Sequence, residues 1–171
     1  KKRNIKGTED ITVSQRYSFA IISAINRFVY PPTEKESGAL YLMELKSGKF
    51  NIKCLTTSFK KDFAPHGISM IKVENNYKIM AVNHTEAGNF LEVFKLHGDT
   101  LTHEKTLSDP LIDCPNDVVM VNENCFYFTN DHGYAKGIGR FLEENLALPV
   151  TNVVYFNGNS YSKVADGIIY A

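Results

Sequence analysis

A short motif recurs along the chain at Glu9-Asp10-Ile11, His66-Gly67-Ile68, Asn116-Asp117-Val118 and Asp166-Gly167-Ile168. Each copy sets polar or small residues just before an apolar run. Each run leads, where the chain continues, into a turn and a second strand. The steps are roughly 50 residues, slightly above the ~40–45 of common propeller blades. A propeller blade is a four-stranded meander whose innermost strand borders the central channel. Residues at equivalent ends of successive inner strands then converge on one axis, which gathers polar groups that are distant in sequence.

The rest of the pattern agrees with an all-β chain. Ile11-Thr12-Val13, Phe19–Ile22, Leu40–Met43 and Phe50–Ile52 are short apolar or alternating runs separated by turn residues such as Gly38 and Ser47-Gly48. Hairpins are predicted for Ile68–Val73 with Ile79–Val82 around Glu74-Asn75-Asn76, and for Leu91–Leu96 with Leu101–Leu107 around His97-Gly98-Asp99. Two more are predicted for Val118–Val121 with Cys125–Thr129, and for Val153–Phe156 with Tyr161–Val164. One segment departs from this. Ile138, Phe141, Leu142, Asn145 and Leu146 recur at helical spacing, with Glu143-Glu144 on the other face and Pro149 as a stop. A single helix over Lys136–Leu148 is therefore expected between strands, packed as a lid on the propeller top.

Composition narrows the function classes. Lys and Arg together equal Asp and Glu at 19 each, and no basic stripe stands out, so nucleic acid is not an expected partner. Lys1-Lys2-Arg3 reads as a frayed end. No apolar run approaches the ~20 residues of a membrane span. The chain lacks an initiator Met and a signal peptide, which reads as a trimmed or internal start. Cys54, Cys114 and Cys125 show no CxxC spacing and imply no structural zinc; buried free thiols are expected in preference to a disulfide.

The candidate chemistry sits at strand ends: Glu9-Asp10, His66, Asn83-His84 and Asn130-Asp131-His132. Calcium takes six to eight oxygen ligands from carboxylates, amides, backbone carbonyls and water, and these pairs carry the right atoms. On their own they have plainer readings. Glu9-Asp10 suits a solvated loop, Asn130-Asp131 an Asx turn, and a His between Pro and Gly is often structural. Two histidines at opposite ends of one hairpin can also share a proton, one orienting the other as general base. Asn83-His84-Thr85 matches a glycosylation sequon, discounted if Asn83 lies beside the channel. There is no Gly-x-Ser-x-Gly elbow, so no serine nucleophile is implied.

Gly7-Thr8-Glu9-Asp10, Phe63-Ala64-Pro65-His66-Gly67-Ile68-Ser69, Asn83-His84 and Thr129-Asn130-Asp131-His132, in this order, resemble the paraoxonase/arylesterase family of calcium-dependent ester and lactone hydrolases. Those enzymes are six-bladed β-propellers. The resemblance implies that residues 1–171 are the N-terminal half of a single propeller domain. They would form about three blades plus the first strand of a fourth at Val164–Ala171, with one inserted helix. A missing C-terminal half would close the ring and supply further ligands, leaving this piece alone inactive.

Carried over residue by residue, Glu9 and Asn130 would hold a catalytic calcium, and Asp10, Asp131 and the carbonyl of Ile68 a structural one. His66 and His84 would form the dyad that activates water for attack on a lactone or aryl ester. The gap between these histidines is one residue shorter than in vertebrate members, a difference the Glu74-Asn75-Asn76 turn can absorb. His132 would lie behind the ligands or in the channel wall, and Asn116-Asp117 would shape an inner strand. The family is often secreted or membrane-attached, yet Glu143-Glu144 argue against lipid contact through this half. Two alternatives remain open: a non-catalytic propeller that binds a ligand or protein, and a gluconolactonase-like or strictosidine-synthase-like relative.

Overall fold

A computed structural model describes residues 5–14, 18–26, 37–46, 48, 50–133 and 137–169. Lys1-Lys2-Arg3, Ser47, Lys136, Tyr170-Ala171 and the side chain of Glu144 lie outside the described residues. The chain builds three antiparallel sheets, each a four-stranded meander in sequence order. The first holds β1 (Thr8–Ser14), β2 (Phe19–Ala24), β3 (Ala39–Glu44) and β4 (Ile52–Cys54). The second holds β5 (Pro65–Val73), β6 (Asn76–Thr85), β7 (Gly88–His97) and β8 (Thr100–Leu107). The third holds β9 (Pro115–Met120), β10 (Phe126–Asn130), β11 (Thr151–Phe156) and β12 (Tyr161–Ile168), with helix α1 (Ile138–Leu146) between β10 and β11. This architecture is consistent with consecutive blades of a β-propeller. Among the described residues no helix is long and apolar enough to cross a membrane.

The second sheet is buried on both faces, which explains its unbroken apolar runs. Ile79, Ala81, Phe94 and Leu96 face Ile21, Leu40, Leu55 and Phe63 in one core. Met80, Val82, Leu91 and Val93 face Val118, Met120, Phe126, Phe128 and Val154 in the other. The alternation of β6 thus sends successive side chains into two different cores.

The first strands β1, β5 and β9 lie side by side, with β5 in the middle. Side chains stitch them together through backbone groups. Asp10 Oδ2 accepts the Ile68 N–H at 2.8 Å, and Ser23 on β2 donates to the His66 carbonyl at 2.6 Å. Ser69 Oγ accepts the Met120 N–H at 2.9 Å. Gly67 is required by closeness: a Cβ there would lie 2.5 Å from the Asp117 Cα and 2.6 Å from the Asn116 carbonyl oxygen.

Several expectations are corrected. β4 begins at Ile52 instead of Phe50, because Phe50 adopts a left-handed φ of 47° that a strand cannot accommodate. Asp166-Gly167-Ile168 does not open a fourth blade. It completes β12, where Ile168 pairs with Thr151, and irregularities in the β11–β12 register absorb the longer strand. The helix orientation is reversed. Glu143 is buried at 1% exposure, while Ile138 and Phe141 stand 80% and 63% exposed. Its carboxylate accepts the Gly133 N–H at 3.2 Å and faces His132 Nδ1 at 3.1 Å, so a polar anchor docks the helix and its apolar face points outward. The cysteines are all free, as expected, but half-buried instead of buried.

Candidate functional site

Two irregular pairings aim the site residues. The β1–β2 register shifts between Thr8 and Asp10, and the β5–β6 register shifts between Pro65 and Ile68. A bulge frees a side chain from strict alternation and re-aims it. Glu9 and His66 sit in these irregularities. Their side chains meet across the two sheets, with Glu9 Oε2 3.4 Å from His66 Nε2. The His84 ring, from the far end of β6, stands edge-to-face with His66 at 5.4 Å between centroids. Asp10 lies on Ile68, as described above. The structure therefore gathers Glu9, Asp10, His66, Ile68 and His84 at one end of the first two sheets.

The partners fix both imidazole tautomers. His66 Nδ1 lies 3.0 Å from the Asn116 carbonyl oxygen, which can only accept, so Nδ1 carries the proton. Asn89 donates its amide N–H to the Asp113 carbonyl, which turns its Oδ1 towards His84 Nδ1 at 2.7 Å. His84 Nδ1 is then also the donor. With Nδ1 engaged, Nε2 is the nitrogen left to exchange a proton, and in His66 it faces Glu9.

Asp117 completes the acidic surroundings, although its sequence reading gave it only a role in shaping β9. Partial burial and then the neighbouring Asp10 carboxylate push its pKa up, against the opposing influence of the Val118 N–H and His66. Asn116, Asn89, Ser23 and Asp117 were legible only as loop or strand residues. Ser23, Asn116 and Asp117 lie beside register irregularities, whereas Asn89 sits in regular β6–β7 pairing.

Asn130 ends β10 on the third sheet and Asp131 follows it, and their partners Cys114, Leu111, Asn152 and His132 lie around that sheet, away from Glu9 and Asp10. Asn130 is 2% exposed. Its Oδ1 accepts the Cys114 N–H at 3.0 Å, and its amide donates to the Leu111 carbonyl and to Asn152 Oδ1, both at 2.9 Å. Asp131 Oδ2 lies 3.4 Å from His132 Nε2, so His132 links it to Glu143 and the helix. Burial first and then Asp131 push the Cys114 thiol up to about 12. Asn83 is the β6 counterpart of Asn130. It is 1% exposed, and its Oδ1 accepts the Ala64 N–H at 2.8 Å, which leaves no room for a glycan at the sequon. Among the described residues, no three His, Cys, Asp or Glu side chains are already drawn together as a metal cluster.

A family model described as Arylesterase matches residues 18–171. The chain belongs to the arylesterase family. Serum paraoxonase/arylesterase 2 of Gallus gallus is 34% identical over 175 residues, covering 96% of this chain and 49% of that protein. The same-named protein of Rattus norvegicus is 36% identical over 136 residues, covering 76% of this chain and 38% of that protein. Serum paraoxonase/lactonase 3 of Homo sapiens is 31% identical over 173 residues, covering 96% and 49%. This arylesterase-family chain spans about half the length of the curated relatives it matches, or less.

Proposed function

We propose that the complete protein carrying this chain is a calcium-dependent hydrolase of aryl esters and lactones. The observation that supports this reading best is the convergence of Glu9, His66 and His84 from three strands of two sheets. In this reading His66 Nε2 removes a proton from the attacking water, and the Glu9 carboxylate stabilises the resulting imidazolium. Asn116 and Asn89 hold the two rings through Nδ1, and His66 Nε2 faces the Glu9 carboxylate.

The donor atoms are of the types calcium takes. Burial first, and to a smaller degree the Asp10 carboxylate, raise Asp117, and a nearby divalent cation would offset the like charges. Asn130 Oδ1 has accepted one N–H and retains a second lone pair. Glu9 and Asn130 would hold a catalytic ion; Asp10, Asp131 and the Ile68 carbonyl would hold a structural one. A bound calcium supplies Lewis acidity to the substrate carbonyl oxygen.

The test is hydrolysis of phenyl acetate and of a γ-lactone by the complete protein, with calcium and after chelation. Turnover of both should depend on calcium and fall by about 10²–10³-fold in Glu9→Gln. Full activity in that variant, or turnover indifferent to chelation, contradicts the reading.

A further inference from the structure

Glu92 on β7 is a carboxylate in the apolar run Leu91-Glu92-Val93-Phe94 and is 1% exposed. Its Oε2 accepts Thr106 Oγ1 at 2.6 Å and lies 2.8 Å from His103 Nε2. Lys61 donates to the same Thr106 hydroxyl at 2.7 Å. Its Oε1 accepts the Asn83 amide at 3.1 Å. Asn83 in turn donates to the Asp62 carbonyl at 3.1 Å and accepts the Ala64 N–H at 2.8 Å, while the Ala64 carbonyl accepts the His84 N–H at 3.1 Å. Hydrogen bonds thus run from Glu92 to the backbone two residues before His66 and to the backbone of His84.

We infer that Glu92 is a positioning residue for the His66–His84 pair and acts through Asn83. The inference rests on the proposed hydrolase reading for its kinetic consequence only. An amide can turn over and exchange its donor and acceptor ends. The Ala64 N–H and the Asp62 carbonyl set which end of the Asn83 amide faces which, and the Glu92 carboxylate takes the remaining amide hydrogen, so the amide is held on three sides. Burying that charge is not the cheapest way to fill the space, since apolar replacements of buried ionic groups are often neutral or stabilising. The third sheet supplies an internal comparison. Asn130 makes the equivalent clamp on Cys114, and there a neutral amide, Asn152, stands where Glu92 acts. The charged version belongs to the sheet that carries both histidines.

Two readouts in the complete protein test this. Glu92→Leu should lower kcat by about tenfold to a hundredfold with KM nearly unchanged, and Glu92→Gln should recover most of the loss. The imidazole 15N titration of His84, whose backbone N–H ends the chain of hydrogen bonds, should shift in Glu92→Leu relative to wild type. The titration needs no substrate, so it decides this inference even if ester hydrolysis is not found. Should Glu92→Leu fail to fold, Thr106→Val removes one donor to the carboxylate and should give a smaller change in the same curves. Folded variants with wild-type titration curves would overturn the inference. A lowered melting temperature with unchanged curves and kcat would do the same, because it marks Glu92 as structural only.

Discussion

The carboxylate of Asp10 on β1 accepts the backbone N–H of Ile68 on β5 at 2.8 Å, joining the first strands of neighbouring sheets. That one bond ties the Glu9-Asp10 segment to the His66-Gly67-Ile68 segment. Asp10→Leu leaves the Ile68 N–H without its acceptor and should cost about 1–3 kcal/mol in denaturant unfolding. Stability equal to wild type would show that the bond is dispensable.

Burial first, and then the same carboxylate, raise Asp117. Asp10→Asn removes the charge while keeping an oxygen acceptor, so the Asp117 carboxyl should titrate lower than in wild type. Carboxyl 13C titration measures this. An unchanged Asp117 would mean that burial alone sets its pKa.

Gly67 carries the closest approach of β5 to β9. Gly67→Ala must push the two strands apart and stretch the 3.0 Å bond from His66 Nδ1 to the Asn116 carbonyl. The expected cost is about 1–3 kcal/mol in denaturant unfolding. A variant as stable as wild type would show that the strands have room.

Tyr161 packs against Phe126, Phe128 and Phe156, and burial first, then Asp109, push its phenol up to about 12. A pKa raised in the folded state makes stability full below the unfolded value of about 10 and lost as pH rises towards the folded value. Alkaline unfolding between these values should therefore be shallower in Tyr161→Phe. Phenolate absorbance in the wild-type-minus-variant difference should appear only towards the higher value. A difference titrating at the ordinary tyrosine value would contradict the burial.

Much of the architecture was legible in the sequence because each hairpin had a turn signal and two apolar flanks. Asn157-Gly158-Asn159 marks β11–β12, and Ile79-Met80-Ala81-Val82 marks a strand buried on both faces. The errors arose where a local pattern met a non-local partner. Asp166-Gly167-Ile168 looks like the other motif copies, but its pairing with β11 extends through an irregular register. The helix follows its amphipathic pattern correctly, yet Glu143 finds His132 and Gly133, and that polar anchor outweighs the apolar face. At the site, side-chain identity pointed to Glu9, Asp10, His66 and His84. The groups that hold their rings and backbone lie at other strand ends: Asn116 stands out only as a motif copy, Asn83 only beside His84, and Asn89 not at all.

Calcium calorimetry on the complete protein tests most directly whether these strand ends form an ion-dependent site. Saturable binding is expected in the wild type, with Glu9→Gln and Asp10→Asn each weakening a separate binding event. Undetectable binding, or identical isotherms for all three proteins, would contradict the account.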